Sequence, residues 1–124
     1  MAESIESIFI VEDDALIAML LEEMLGELGY SVSGKAACVD EALTLADSLA
    51  FDAAILDVSL AGQSSYPVAH FLDKKGTPYL FATGYGTVPA GTAGIGLPAL
   101  TKPYQLNELE AALVALAAAK NQRT

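Results

Sequence analysis

The chain has 124 residues, 53% of them hydrophobic and 18% charged, the size and balance of one domain with its own core and not of a disordered segment. Six Lys and Arg against sixteen Asp and Glu give 6 − 16 = −10. Nucleic-acid affinity comes largely from basic groups neutralising phosphates, so a chain this acidic is not expected to bind DNA or RNA.

The first residues, Met1-Ala2-Glu3-Ser4-Ile5-Glu6, carry acids where a signal peptide carries bases, which predicts a cytoplasmic protein. Ile8-Phe9-Ile10-Val11 is a continuous apolar run of the kind found in a strand covered on both faces, and it stops at Glu12-Asp13-Asp14. A helix follows, with Ile17, Leu20 or Leu21, Met24 and Leu28 inward, Asp14 as its N-cap and Gly29 as its stop. Ser31–Gly34 reads as a weaker second strand, and about Val39 to Leu49 as a second helix with Ala42, Leu45 or Ala46, and Leu49 inward. Cys38 is the only cysteine, which excludes an internal disulfide and a cysteine-built metal site; it is expected to be a small, at least partly buried residue.

Ala53–Leu56 is the third strand and closes on Asp57. Pro67 to Lys75 suits a short helix ended by Gly76, and Tyr79–Thr83 a fourth strand. From Gly84 to Gly96 there are five glycines and one proline, so a helix there is short or eroded. A brief strand at Ala99–Thr101 leads to Lys102-Pro103, and the last helix runs from about Gln105 to Ala119 on a stripe of Leu106, Leu109, Leu113 and Leu116. The apolar runs Ala15–Leu21 and Ala111–Ala119 are far shorter than the ~18 residues that cross a bilayer. Strands alternating with helices predict an α/β fold: a doubly wound, five-stranded parallel sheet with helices on both faces, in one domain over 1–124 without linker, repeat or output domain.

In such sheets ligands bind outside the carboxyl ends of the strands. Glu12, Asp13, Asp57 and Thr83 close three strands and Lys102 follows a fourth, so all five converge on one pocket. Crowded carboxylates repel unless a cation neutralises them, and Mg²⁺ suits carboxylates, carbonyls and water. The set fits phosphoryl transfer to a carboxylate: Asp57 as nucleophile, Mg²⁺ and Lys102 stabilising charge, Thr83 holding a phosphoryl oxygen. No nucleotide-binding glycine loop is present.

Ile10-Val11-Glu12-Asp13-Asp14, Ile55-Leu56-Asp57, Thr83 and Lys102-Pro103 resemble the landmarks of bacterial response-regulator receiver domains over nearly the whole chain. The resemblance implies a flavodoxin-like receiver fold, with Asp57 as phospho-acceptor, Thr83 as switch hydroxyl and Lys102 as the family's lysine. The acidic pair that holds Mg²⁺ best matches Glu12 and Asp13. Asp13 with Asp14 is the competing register, in which Asp14 no longer serves as helix cap. The third protein ligand implied is the main-chain carbonyl of Ser59.

Pro78-Tyr79-Leu80-Phe81-Ala82-Thr83-Gly84-Tyr85 further resembles the PFxFATGY motif of an atypical single-domain receiver subfamily, with Tyr79 in place of its phenylalanine. Two departures stand out. Ordinary receivers have an aromatic switch residue where this chain has Ala99, and the segment between Thr83 and Lys102 is short and glycine-rich. Switching is therefore expected in Gly84 and Tyr85, where flanking glycines let the backbone move cheaply.

The implied function is a phospho-acceptor module of a two-component relay. It is served by a sensor histidine kinase or phosphotransfer protein, acts on a downstream protein partner, and catalyses only its own Mg²⁺-dependent phosphorylation and hydrolysis. The alternative is a constitutive, phosphorylation-independent interaction domain. A phosphatase with an aspartyl-phosphate intermediate would want a second acid where Ser59 stands. His70 reads as a surface or packing residue and Tyr104 as packing.

Overall fold

The computed structural model describes residues 5–60, 62–83, 100–101 and 105–122; of Ser59, Thr83, Leu100, Thr101 and 119–122 it describes the backbone. In chain order the elements are β1 (Ser7–Val11), α1 (Ala15–Glu27), β2 (Ser31–Ala36), α2 (Val39–Ser48), β3 (Ala53–Asp57), β4 (Ser59–Leu60), β5 (Gln63–Ser64), α3 (Tyr66–Lys75), β6 (Tyr79–Thr83), β7 (Leu100–Thr101) and α4 (Leu106–Gln122). Five strands form one sheet in the order β2-β1-β3-β6-β7, every neighbour parallel. This is the doubly wound α/β fold that the alternating pattern predicts, in the flavodoxin-like strand order that the resemblance implies.

Because side chains alternate along a strand, each central strand feeds two cores. Ile8, Ile10, Ile55, Leu80 and Ala82 pack under α1 and α4, against Leu21, Leu25, Leu109, Leu113 and Leu116. Phe9, Val11, Ala54, Leu56 and Phe81 pack under α2 and α3, against Ala42, Ala46, Val68 and Leu72. Continuous apolar strands are thus required here, since neither face meets water. Lys75 ties α3 to α2, donating to the Ala46 carbonyl at 2.7 Å with its ammonium over the Phe51 and Phe71 rings.

The expected caps are in place. Asp14 Oδ1 accepts from the Leu16 and Ile17 amides at 3.0 and 3.2 Å. Gly29, at φ 91°, ends α1, with Tyr30 N–H donating to the Leu25 carbonyl at 2.9 Å and Gly29 N–H to Gly26 at 3.1 Å. That pair of bonds satisfies two carbonyls the helix leaves over. Gly76 at φ 74° closes α3 in the same left-handed conformation.

Several expectations need correction. In α1 the buried residues are Ala18, Leu21, Met24 and Leu25; Leu20 is 45% exposed, and Ile17 and Leu28 are only partly buried. Leu106 is 39% exposed and no part of the α4 core, because it stands in the first turn, clear of the sheet. Cys38 is exposed, at the N-cap of α2, where the chain turns outward. The antiparallel β4–β5 hairpin after Asp57, turned at Gly62 with φ 83°, was not part of the predicted pattern. A helix between Thr83 and Leu100 falls outside the described residues. His70 is exposed, as read from the sequence.

The amino ends of β1 and β3 are clasped together. Asp52 Oδ2 accepts from the Glu6 and Ser7 amides at 2.9 and 3.0 Å and from the Ser7 hydroxyl at 3.3 Å, while the Asp52 amide donates to the Ser7 carbonyl at 2.9 Å. Asp52→Ala strips the acceptor from these amides and is expected to cost about 1–3 kcal/mol in urea unfolding, with Asp52→Asn costing less. An unchanged midpoint in Asp52→Ala would mean that water replaces the carboxylate without loss.

Candidate functional site

The register of the sheet builds the site. β1 and β3 pair Val11 with Leu56, so Glu12 and Asp57, each the next residue, leave the sheet side by side at its carboxyl end. β2 lies on one side of β1 and β3 on the other. The chain therefore reverses its winding between β1 and β3, and the opening of a doubly wound sheet lies at that reversal. Asp57 pairs in turn with Ala82, the residue before Thr83, and Thr83 pairs with Thr101.

One carboxylate oxygen from each of Glu12, Asp13 and Asp57 lies within 4.8 Å of the other two. Glu12 is 4% exposed, Asp13 is open to solvent and Asp57 is half-buried. Glu12 Oε2 accepts from the Asp14 amide at 3.2 Å, which fixes one end of the buried carboxylate. At or inside that separation two ionised carboxylates such as Glu12 and Asp57 repel by at least about 3.5 kcal/mol with an effective dielectric of about 20. A cation offsets that repulsion.

The donor set suits a hard cation: it offers only carboxylate oxygens, with no sulfur or imidazole. Oxygens on one octahedral Mg²⁺ stand about 3 Å apart in cis and 4 Å in trans. Asp14 is outside the group, its carboxylate occupied as the cap of α1.

Residues after Asp57 add a backbone component. Val58 N–H donates to the Ala82 carbonyl at 3.2 Å, and the Ser65 N–H donates to the Val58 carbonyl at 3.0 Å. That second bond makes Ser59 and Ser64 a non-hydrogen-bonded pair of the hairpin, so the Ser59 N–H and C=O face the edge of β4 that β5 does not use. Sequence reasoning missed this clamp; Gly62 and the Ser64-Ser65 pair, both turn formers, were its available signal. Lys102, Gly84 and Tyr85 lie outside the described residues.

A family model for the response regulator receiver domain matches residues 8–114, from β1 into α4. The chain belongs to that family. Receiver domains are signalling modules of two-component response regulators, not enzymes of the usual kind. The transcriptional regulatory protein TcrA of Mycobacterium tuberculosis is 37% identical over 114 residues, covering 88% of this chain and 45% of TcrA. The chain spans about half the length of the curated relatives it matches. The solution structure of SdrG from Sphingomonas melonis Fr1 is 38% identical with a TM-score of 0.81, covering 92% of this chain and 98% of that one. The PhyR receiver domain from Erythrobacter litoralis is 25% identical with a TM-score of 0.78, covering 93% and 90%.

The receiver's β6 accounts for one departure from the expected motif. Tyr79, 3% exposed, donates its hydroxyl to Asp73 Oδ2 of α3 at 3.2 Å, so a buried phenol finds a partner where the motif has phenylalanine. Asp14→Ala in this receiver is expected to lose the α1 cap at a cost of about 1 kcal/mol and to leave Mg²⁺ affinity within twofold, as checked by thermal unfolding and metal titration. A larger loss of Mg²⁺ binding from Asp14→Ala than from Asp13→Ala would restore the competing register.

Proposed function

We propose that this receiver domain takes a phosphoryl group on Asp57 from a histidine kinase or phosphotransfer protein and regulates a protein partner. The observation that carries this is the meeting of Glu12, Asp13 and Asp57 at the winding reversal of a sheet inside the matched family span. Asp57 ends β3 half-buried, close enough to solvent for a donor to approach and rigid enough to be aimed by the strand.

In the transfer, an Asp57 carboxylate oxygen forms a bond to phosphorus as the donor's N–P bond breaks, and the electron pair stays on the departing imidazole nitrogen. Glu12, Asp13 and Asp57, with the Ser59 main-chain carbonyl, would hold Mg²⁺, which when bound neutralises charge on the phosphoryl oxygens. Thr83 and Lys102 would receive the remaining phosphoryl oxygens, one by hydrogen bond and one by charge. Thr83 follows Ala82, which is bonded to Val58 next to Asp57. Movement at the acceptor would thus reach Gly84 and Tyr85 through two residues.

The run Pro78–Tyr85 supports placing the chain in the PFxFATGY subfamily. Partner docking has a surface available on α1. Leu16, Met19 and Leu20 are 69, 49 and 45% exposed, on one helix face beside Glu23 and Glu27, next to the acidic site. An apolar stripe rimmed by carboxylates fits a partner with an apolar centre and basic rim. Among the described residues no helix is long and apolar enough to cross a membrane.

Incubation with a small phosphodonor is expected to label the protein only with Mg²⁺ present, and Asp57→Ala is expected to abolish labelling while keeping the fold. A folded, unlabelled wild type would instead favour the constitutive interaction domain. Leu16→Asp is expected to slow transfer from a phosphorylated kinase about tenfold and to leave labelling by the small donor unchanged. Equal slowing with both donors would remove α1 from docking.

A further inference from the structure

Ser65 is the N-cap residue of α3, where serine ordinarily turns its hydroxyl onto the first amides of its own helix. Here it makes no such bond. The amides that would want it are otherwise provided for: Tyr66 N–H donates to Ser64 Oγ at 3.1 Å, Pro67 has none, and Val68 and Ala69 donate to the Ser65 carbonyl at 3.0 and 3.2 Å. The Ser65 hydroxyl, 0% exposed, donates to the Val58 carbonyl at 3.1 Å. That carbonyl also accepts from the Ser65 amide. One buried serine therefore holds the residue after Asp57 by two bonds, while β6 holds the same residue's N–H.

We propose that Ser65 is a positioning residue for the phosphorylation site, its hydroxyl fixing the Val58 peptide so that Asp57 and the Ser59 carbonyl keep their places beside Glu12 and Asp13. This rests on the reading of those acids as the Mg²⁺ site. Val58 joins the last residue of β3 to the first of β4, so rotation about its φ and ψ turns the Asp57 side chain and the Ser59 carbonyl relative to each other. The amide bond alone leaves a hinge; the hydroxyl bond from the same residue resists its rotation. Among the described residues of the hairpin no other group bonds the Val58 carbonyl, and the Ser59–Ser64 pair contributes no bond of its own.

The test is calorimetric titration of Mg²⁺ into the full chain and its variants, with amide hydrogen exchange of the metal-free proteins. Ser65→Ala is expected to weaken Mg²⁺ on the order of tenfold, as loss of a group that orients metal ligands generally does, and to speed exchange at Ser59 and Leu60. Ser65→Thr, which keeps the hydroxyl, is expected to bind within about twofold of wild type even if its added methyl lowers the melting temperature. Asp52→Ala, at the other end of the sheet, is expected to lower stability without changing Mg²⁺ affinity, which separates positioning from general loosening. If Ser65→Ala binds Mg²⁺ like wild type while Asp13→Asn and Asp57→Asn lose it, Ser65 is only a structural serine and the positioning role is overturned. If Asp13→Asn and Asp57→Asn bind as wild type does, the metal site itself fails and the positioning role fails with it.

Discussion

Three carboxylates held within 4.8 Å of one another oppose folding, and much of the surrounding structure exists to hold them there. The opposing force is supplied by the apolar sheet behind them. Phe9, Ile10, Val11, Ile55 and Leu56 are all 0–1% exposed, each worth about 1.5–3 kcal/mol when buried. Repulsion at the strand ends is small against that sum. The sheet can therefore carry a destabilised cluster at its rim and keep it poised for a cation or for a phosphoryl group accompanied by one.

The division between two cores explains why the acids are placed as they are. Glu12 continues the parity of Ile8 and Ile10, and Asp57 that of Ile55, so both belong to the α1–α4 side of the sheet. Asp14, two residues beyond Glu12, has left the strand and begins a helix instead. Three consecutive acids thus have three different environments: one buried, one in solvent, one bonded to helix amides. Chain direction, and not acidity, assigns their roles.

The five strands of the main sheet, most helix ends and the gathering of acids were legible in the sequence because each rests on a local rule: an apolar block, an aspartate before a helix, a glycine after it. Helix faces were less legible where nearly every residue is apolar. In Ala15–Leu21 the chain offers overlapping stripes, and only the position of the sheet chooses Leu21 over Leu20. Leu106 failed for a different reason, since a leucine in the right period still lies outside the core if it precedes the helix's contact with the sheet. Gly62 and the Ser64-Ser65 pair signalled a turn, but not the Ser65–Val58 clamp within it, because serine chooses its hydrogen-bond partner in three dimensions. Its neighbours Ser64 and Pro67 decide that choice by satisfying or removing the competing amides.

The clasp between Ser7 and Asp52 acts as a ruler. It marks the amino end of β3, and the alternation of apolar residues that follows places Asp57 five positions later at the other end. Side chains alternate, so losing or gaining one residue in that interval would carry the acid to the α2–α3 face and bury it among Phe9, Val11 and Phe81. Substitutions within Ala53–Leu56 alter only how well the sheet packs, whereas a single-codon insertion or deletion there removes the reactive carboxylate from its pocket altogether. Length in this stretch is thus under a stricter physical constraint than composition.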